Sequence, residues 1–301
     1  MTPTDTRFEP LGPCGGRFAA VARGFDLSTP QTPEAVRAIE SAMDRWGVLV
    51  FHGQALDQHQ QIAFARQLGP LDVGFRRIRG GPHRFDYHEL ADISNVTADG
   101  AVAERAHAKI VNNLANQLWH SDSSFQKPRA KYSMLFAVVV PAEGGDTEFA
   151  DLREAWDRLP AAEQDRVRGL EAVHWALHSR FMLGDTGYSA EQRAAFTPVR
   201  WPLVHTDPRS GRRVLFVGAH ACEVPGLTLP EGRMLLLDLL EHATQRAHVY
   251  RHRWQPGDLV MWDNTATLHR GRAFDLSARR ELRRATTEET LPAGCAPGAG
   301  S

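Results

Sequence analysis

The chain has 301 residues, of which 42% are hydrophobic and 24% charged, and its formal net charge is -1. This balance is typical of a folded globular protein and argues against a disordered chain or one that binds nucleic acid through bulk charge. Three cationic side chains are lysines and 32 are arginines, an excess that matters functionally only where arginines cluster beside an anion.

The cysteines and the apolar runs indicate the cellular compartment of the protein. Cys14, Cys222 and Cys295 lie far apart and form no CxxC pair, which favours a reducing compartment over a disulfide framework. The N-terminal segment has no pattern of a signal peptide, and the longest apolar run, 134–141, is far shorter than the ~20 residues that span a bilayer. We therefore expect a cytoplasmic protein with no membrane partner and no nucleic-acid partner.

The first elements in chain order are two helices around a strand. Thr32 suits an N-cap and Gly47 a C-terminal stop, so the pattern predicts a helix over 32–47. Residues 48–51 (VLVF) then predict a buried strand, and a second helix is capped by Asp57.

A long irregular segment follows, and the pattern after it is mainly β. Residues 72–118 are rich in Gly, Arg and His and predict a lid or binding loop. From Tyr132 the sequence predicts a strand, a turn at 144–145 (Gly-Gly) and a further strand at 147–149. Later predicted elements are a helix at 151–170, strands near 201–204 and 214–217, a helix at 234–245 and a strand at 258–262.

These elements predict a fold class. Short strands with helices at the start and as insertions indicate a mainly β protein with helical decoration and a double-stranded β-helix (jelly-roll) core. No linker divides the chain, so we expect one domain over 1–290 and a disordered tail over 291–301.

The clearest chemical motif is Trp119-His120-Ser121-Asp122. Residues two apart on an extended segment point to the same side, so His120 and Asp122 can converge on one ion. A second histidine would complete the two-histidine, one-carboxylate face typical of non-haem Fe(II), and His269 is the candidate. An ordinary hydrogen-bonded pair is the alternative interpretation of His120 and Asp122.

A cluster of arginines lies downstream of His269. If 279–284 is a strand, Arg280 and Arg284 share one face, and inward guanidinium groups beside a metal predict bound carboxylates. The alternative is a solvated basic edge strand with Glu281 as the ionic partner.

Together these motifs resemble the taurine/2,4-dichlorophenoxyacetate dioxygenase family, which uses Fe(II) and 2-oxoglutarate. The resemblance extends over nearly the whole chain and is closest to the 2,4-dichlorophenoxyacetate branch. It is carried by His120-x-Asp122, Gly144-Gly145-Asp146-Thr147, Trp262-Asp263-Asn264, His269, Arg280 and Arg284, and by the stretches 91–96, 116–125, 179–186 and 279–287.

The resemblance implies roles for individual residues. His120, Asp122 and His269 would bind the iron, and Thr147 and Arg280 would hold the distal carboxylate of 2-oxoglutarate. The substrate's anionic group would contact Arg284 and Arg77, and Trp262 would line the metal pocket.

The implied reaction also needs O₂, with ascorbate as a reductant that keeps the iron in the Fe(II) state. The family reading predicts hydroxylation of the ether-side carbon of an aryloxyacetate, which releases a phenol and glyoxylate. The expected partner is thus a small anionic aromatic molecule, and a homo-oligomer fits an apolar helix such as 234–245. The alternatives are the same chemistry on a sulfonate or alkyl sulfate, or on a natural aryl ether or carboxylate, and a non-catalytic β-barrel that binds an anion or stores metal.

Overall fold

A computed structural model describes residues 7–11, 16–73 and 84–290. The predictions for Arg77 and for the tail at 291–301 lie outside these ranges. Within them, no helix combines the length and apolar character that a membrane crossing requires. The expectation of one domain stays a prediction.

Fifteen strands, eight α-helices and two short 3₁₀ turns make up the described part of the chain. In chain order the strands are β1 (Phe8–Pro10), β2 (Ala20–Ala22), β3 (Val48–Phe51), β4 (Ala91–Ser94), β5 (Ala130–Val139), β6 (Thr147–Asp151), β7 (Glu171–His174), β8 (Val199–Pro202), β9 (Val204–Thr206), β10 (Arg213–Leu215), β11 (Ala221–Glu223), β12 (Val249–His252), β13 (Leu259–Asp263), β14 (Thr267–Gly271) and β15 (Glu281–Glu288). The helices are α1 (Pro33–Trp46), α2 (Gln58–Arg66), α3 (Ala108–Asn113), α4 (Leu152–Arg158), α5 (Ala161–Val167), α6 (His178–Met182), α7 (Ala190–Ala195) and α8 (Leu229–Ala243).

Two sheets form the core of the fold. The larger has the order β1-β2-β3-β13-β5-β15-β4 and the smaller β12-β6-β14. The chain passes from β5 in the larger sheet to β6 in the smaller one, and from β12 through β13 and β14 to β15 it changes sheet at each strand. This alternation is the double-stranded β-helix, so the predicted jelly-roll core is confirmed. Two sheets remain, a three-stranded one (β11-β7-β8) and a two-stranded one (β10-β9), and both belong to the insertion between β6 and β12.

The larger sheet is covered on both faces, which explains its continuous apolar runs. On β3, Val48 and Val50 point into the space between the two sheets, whereas Leu49 and Phe51 pack in the cluster that holds α1 and α2. The same alternation on β13 sends Trp262 inward and Met261 outward. Successive side chains leave opposite faces of a strand, so a strand buried on both sides needs apolar residues throughout.

Helix α1 begins and ends where its caps predict. The Thr32 side chain accepts a hydrogen bond from the Ala35 amide, and Gly47 has a φ of 70° and donates its N–H to the Met43 carbonyl. A side chain on Gly47 would also lie 2.7 Å from Nη2 of the buried Arg153. Glycine therefore satisfies both the left-handed cap and the packing there.

Three predicted segments need correction. The helix predicted over 151–170 is two helices, α4 and α5, because Pro160 keeps Leu159 out of the helical region (ψ 130°). Helix α8 begins at Leu229, before the predicted 234, at a capping box formed by Thr228 and Glu231.

The third correction concerns 72–118, which is not wholly irregular. It contains β4, α3 and the 3₁₀ turn Leu114–Gln117. Strand β4 pairs with β15, and Lys109 of α3 contacts Asp92 at 2.6 Å and the Ser94 hydroxyl at 2.9 Å. Polar contacts with distant residues stabilise this segment, so hydrophobic periodicity does not reveal it.

One buried histidine in the insertion predicts a pH-dependent loss of stability. His174 stacks on Phe216 with ring centroids 5.2 Å apart, and neither of its ring nitrogens has a hydrogen-bond partner among the described residues. Burial, with Arg129 nearby, lowers the pKa of His174 to about 3. The unfolded chain therefore binds a proton here between that pH and the ordinary histidine pKa of about 6.5, and stability falls as the pH falls through this window.

We predict that His174→Leu weakens this pH dependence. Between pH 7.5 and pH 5, urea unfolding of the wild type should lose roughly 2 kcal/mol more than unfolding of the variant, since one pKa unit corresponds to about 1.4 kcal/mol. The control Leu203→Ala removes a buried, non-titratable side chain from the apolar cluster that contains Phe216 and should cost the same at both pH values. A His174→Leu variant that loses as much stability as the wild type contradicts the prediction.

Candidate active site

Two histidines and one aspartate meet between the sheets. His120 and His269 exchange two backbone hydrogen bonds, of 3.0 and 2.9 Å, which join the segment before Asp122 to β14. Nε2 of His120 lies 3.8 Å from Oδ1 of Asp122, and Nε2 of His269 lies 3.8 Å from Oδ2. The three side chains are buried, and one ligand atom from each lies within 4.8 Å of the other two. This spacing fits one divalent cation.

The electrostatics of the three side chains match a metal site. Nδ1 of His120 lies 2.8 Å from the Leu118 carbonyl, which can only accept, so Nε2 presents its lone pair. Burial lowers the pKa of both His120 and His269, which keeps the imidazoles neutral. Burial alone would raise the pKa of Asp122, but the guanidinium of Arg284 and the hydrogen bond from Ser133 outweigh it and hold this pKa below its ordinary value. Neutral imidazoles and an ionised carboxylate are the forms that bind a metal ion.

Two residues hydrogen-bond the carboxylate of Asp122, and two more support them. Arg284 donates to Oδ1 at 2.5 Å and the Ser133 hydroxyl to Oδ2 at 2.7 Å. The Asn264 amide contacts both the Ser133 hydroxyl, at 2.9 Å, and the Asp122 backbone N–H, at 3.1 Å, and its oxygen also accepts from the Trp262 indole. Sequence reasoning did not assign Ser133 or Asn264 a role. For Asn264 the available signal was its place in the Trp262-Asp263-Asn264 motif.

A cavity of about 590 Å³ opens beside His269. Thr147, Trp262, Arg280 and Arg284 also line it. Trp262 is fully buried, with its ring centroid 4.6 Å from that of His269. The predicted residues for 2-oxoglutarate therefore share one cavity with a predicted iron ligand.

Arg280 in this cavity is a buried cation that needs an anion. It is 8% exposed, it donates through Nη2 to the Gly145 carbonyl, and its Nε has no hydrogen-bond partner among the described residues. Burial lowers the pKa of Arg280 to about 10, with Asp146 as a weaker opposing influence, and Asp146 itself is bonded to Arg251 at 2.5 Å. An unpaired guanidinium in the interior is costly, so a carboxylate ligand fits this position.

The two glycines of the turn make room for Arg280. Gly144 and Gly145 have φ values of 75° and 70°, which favour glycine. A Cβ on Gly144 would lie 2.8 Å from the Ala273 carbonyl oxygen, and a Cβ on Gly145 would lie 2.9 Å from Nε of Arg280. The Gly-Gly pair thus serves both the turn into β6 and the placement of Arg280.

A second cavity, of about 160 Å³, lies beside His120 and Asp122. The larger cavity touches His269 and this one touches the other two ligands, so the metal triad lies between them. Arg284 lines both cavities, and other residues of the smaller one that sequence reasoning missed are Phe125, Ala176, Arg180 and His220. The only earlier signal for Arg180 was its position in the family-like stretch 179–186.

His220 is held in the smaller cavity by its neighbours. Its Nδ1 lies 3.2 Å from the Ser124 hydroxyl, and its ring meets Phe125 edge-on with centroids 4.9 Å apart. Burial lowers the pKa of His220 well below its ordinary value, so the ring is neutral.

The arginine strand predicted over 279–284 forms as β15, which begins at Glu281, so Arg280 lies just before it. Arg284 on β15 faces the triad, while Arg283 points to the opposite face and donates to Gln61 of α2 at 2.8 Å. Strand β15 lies between β5 and β4, so it is not an edge strand, although Glu281 does pair with Arg279 and Arg84.

Phe85 and Phe181 line neither of the two cavities. Among the described residues, Phe85 packs against the cluster under α1 and α2, and Phe181 against Trp175, with ring centroids 5.0 Å apart. Phe75 and Arg77 lie outside the described residues.

We predict that the triad binds a divalent ion without any co-substrate. Isothermal titration of the metal-free protein with Mn(II) should show one site, and His269→Ala and Asp122→Asn should each weaken it at least a hundredfold, because each removes one of three ligands. The control His59→Ala alters an exposed histidine bonded to Tyr87 and should bind like the wild type. Unchanged Mn(II) affinity in His269→Ala contradicts the prediction.

Comparison with known proteins identifies close relatives. The chain is 62% identical over 270 residues to the alpha-ketoglutarate-dependent 2,4-dichlorophenoxyacetate dioxygenase of Cupriavidus pinatubonensis, an alignment that covers 90% of this chain and 94% of that protein. It is 35% identical over 279 residues to the (S)-phenoxypropionate/alpha-ketoglutarate-dioxygenase of Sphingobium herbicidovorans, covering 90% and 91% of the two chains.

A solved structure extends the likeness to the fold. The crystal structure of AAD-2 in complex with Mn(II) and N-oxalylglycine superposes with a TM-score of 0.87 at 41% identity, over 96% of this chain and 99% of that one. The protein is thus an α-ketoglutarate-dependent dioxygenase, an oxidoreductase that uses Fe(II), 2-oxoglutarate and O₂. The sequence profile of the family "Taurine catabolism dioxygenase TauD, TfdA family" matches residues 7–286, and the chain belongs to that family.

Proposed function

We propose that the primary substrate is an aryloxyacetate such as 2,4-dichlorophenoxyacetate and that the ether-side carbon is hydroxylated. Two cavities meet at one metal triad, and both are lined by arginine. This is the observation that carries the proposal, because two separate carboxylate ligands must reach the metal from different sides. Relatives named for phenoxy acids support an aryloxyalkanoate over other anions.

In the larger cavity, we propose that Arg280 and Thr147 hold the distal carboxylate of 2-oxoglutarate. Arg280 lines this cavity with Nη2 bonded to the Gly145 carbonyl and no acidic partner for its guanidinium among the described residues, and the threonine offers a hydroxyl within the same cavity. Charge-assisted hydrogen bonds of this kind fix the orientation of a carboxylate as well as its affinity. The opposite end of 2-oxoglutarate then points to the side where His269 lies.

In the smaller cavity, we propose that Arg180, His220 and Arg284 receive the carboxylate of the aryloxyacetate. The ring would lie against the apolar atoms of Phe125 and Ala176, which line the same space. Arg284 is bonded to Asp122, so it orients a metal ligand and adds positive charge to both cavities. Arg77 stays a further candidate for contact with the substrate carboxylate.

The proposed reaction has two stages, hydroxylation of the substrate and collapse of the product. When bound at the triad, Fe(II) supplies the oxidising chemistry with O₂, and 2-oxoglutarate provides two electrons as it becomes succinate and CO₂. One oxygen atom enters the substrate C–H bond next to the ether oxygen and gives a hemiacetal. The hemiacetal then breaks the bond between its carbon and the aryl oxygen. The hydroxyl proton goes to that oxygen to give the phenol, and glyoxylate remains.

A sulfonate or alkyl sulfate is the second candidate substrate, and a natural aryl ether or carboxylate is the third. Guanidinium groups bind sulfonates as well as carboxylates, so Arg284 and Arg180 do not by themselves decide between them. A cytoplasmic location and a homo-oligomeric state are also retained as proposals.

We predict that Gly145→Ala weakens the binding of 2-oxoglutarate more than the binding of metal. The added methyl would displace Nε of Arg280, so KM for 2-oxoglutarate should rise roughly tenfold, the effect of disturbing one charged hydrogen bond, while Mn(II) affinity stays within about twofold. The control Gly184→Ala alters a glycine with similar φ, 80°, whose Cβ would meet nothing within 4 Å. Parallel loss of metal and 2-oxoglutarate affinity in Gly145→Ala contradicts the prediction.

The substrate is tested by a panel of 2,4-dichlorophenoxyacetate, phenoxyacetate, taurine and a primary alkyl sulfate. Release of phenol and glyoxylate is measured beside succinate, and release of sulfite or sulfate marks the alternative. We expect the aryloxyacetates to have the highest kcat/KM, with one succinate formed per phenol. Higher rates with taurine or the alkyl sulfate would overturn the substrate assignment but leave the dioxygenase chemistry intact.

A further inference from the structure

We infer that Trp254 is a positioning residue for the co-substrate: its indole N–H fixes the hydroxyl of Thr147 so that the hydroxyl hydrogen points to the 2-oxoglutarate carboxylate. The inference rests on the proposed role of Thr147 and deepens it. It assigns a function to a tryptophan that none of the sequence motifs contained.

The contact itself is a single hydrogen bond. Nε1 of Trp254, on the segment between β12 and β13, lies 3.0 Å from Oγ1 of Thr147, the first residue of β6. Thr147 is 3% exposed and lines the larger cavity, whereas Trp254 is not among the residues that line it. The indole therefore approaches the hydroxyl from outside the cavity.

The chemistry of the two groups decides the direction of the bond. An indole N–H can only donate, so the Thr147 oxygen accepts and its own hydrogen stays available. No acceptor for that hydrogen occurs among the described residues. Because one lone pair is held by Trp254, the O–H bond is turned away from the indole, and Thr147 lines the same cavity as Arg280. A carboxylate there meets a donor that is already oriented, which lowers the entropy cost of binding.

The indole packs against a histidine that buried hydrogen bonds hold in place. The ring of His252 meets Trp254 nearly at a right angle, with centroids 4.6 Å apart. His252 in turn lies 3.0 Å from Oδ2 of Asp258 through Nε2 and 3.0 Å from the Tyr250 hydroxyl through Nδ1. His252 also sits opposite Thr147 in the register between β12 and β6. The strand pair therefore fixes Thr147 directly and Trp254 through the ring of His252, two residues before it.

The test is a double-mutant cycle on the binding of N-oxalylglycine, an analogue of 2-oxoglutarate, to the Mn(II)-loaded protein. Thr147→Val removes the hydroxyl and should raise Kd at least tenfold, the effect of one hydrogen bond to a charged group. Trp254→Phe keeps an aromatic ring but removes the N–H, and should raise Kd about threefold to fivefold, since the hydroxyl remains but is no longer oriented. In the Thr147→Val background, Trp254→Phe should change Kd no further.

Controls separate positioning from general damage. Trp175→Phe removes another indole hydrogen bond, 2.8 Å to the Phe196 carbonyl, and should leave Kd for N-oxalylglycine unchanged. Trp254→Phe should keep the wild-type Mn(II) affinity, and in turnover it should raise KM for 2-oxoglutarate while kcat changes less than twofold.

Two results overturn the inference, and they are distinguishable from failure of the proposed function. If Thr147→Val weakens binding and Trp254→Phe does not, Thr147 holds the ligand without help from Trp254. If Trp254→Phe weakens binding equally in both backgrounds, Trp254 acts by another route. If Thr147→Val itself has no effect, the proposed co-substrate site is wrong and the inference falls with it.

Discussion

The two backbone hydrogen bonds between His120 and His269 are the interaction on which the site depends. They join a segment that belongs to neither sheet to β14 of the smaller sheet, and so bring a ligand pair close in sequence to a third ligand almost 150 residues later. The metal site is consequently as rigid as the strand pairing around it. The jelly-roll fold supplies this, because β14 is paired with β6 along its whole length.

Positive charge held in the interior is the second constraint, and it gives the site its chemistry. Arg280 and Arg284 reach the cavities from β15 or the residue just before it. Of the two, only Arg284 has an acidic partner within hydrogen-bond distance among the described residues, the ligand Asp122. Once a metal ion engages Asp122, its charge must be shared between the cation and Arg284. Both cavities then favour anions, although the whole chain has a net charge of -1.

Local signals were sufficient for the elements that depend on local physics. Thr32 and Gly47 fix α1 through capping, and the VLVF run identifies β3 because both of its faces are covered. The spacing of His120 and Asp122 gave two candidate ligands and His269 a third, but the roles of Thr147 and Arg280 required the resemblance to a family. Those roles depend on which strands become neighbours, and periodicity does not contain that information.

Residues that act through tertiary contacts stayed hidden for the same reason. His220 and Phe125 come together only when the insertion folds back over the segment after Asp122, across a sequence separation of nearly a hundred residues. Ser133 reads as one polar residue in an apolar strand, although it carries a hydrogen bond to Asp122. Strand β4 is stabilised by ion pairs and by its pairing with β15, so it has no apolar signature.

The most direct test of two cavities that meet at one metal is a crystal structure of this chain with Mn(II), N-oxalylglycine and 2,4-dichlorophenoxyacetate bound together. The account predicts that the distal carboxylate of the analogue contacts Arg280 and Thr147 in the larger cavity. The aryloxyacetate should lie in the smaller one, with its carboxylate near Arg180, His220 or Arg284 and its ether methylene facing the metal. An aromatic ring bound beside Arg280, or an analogue that contacts neither Arg280 nor Thr147, would contradict it.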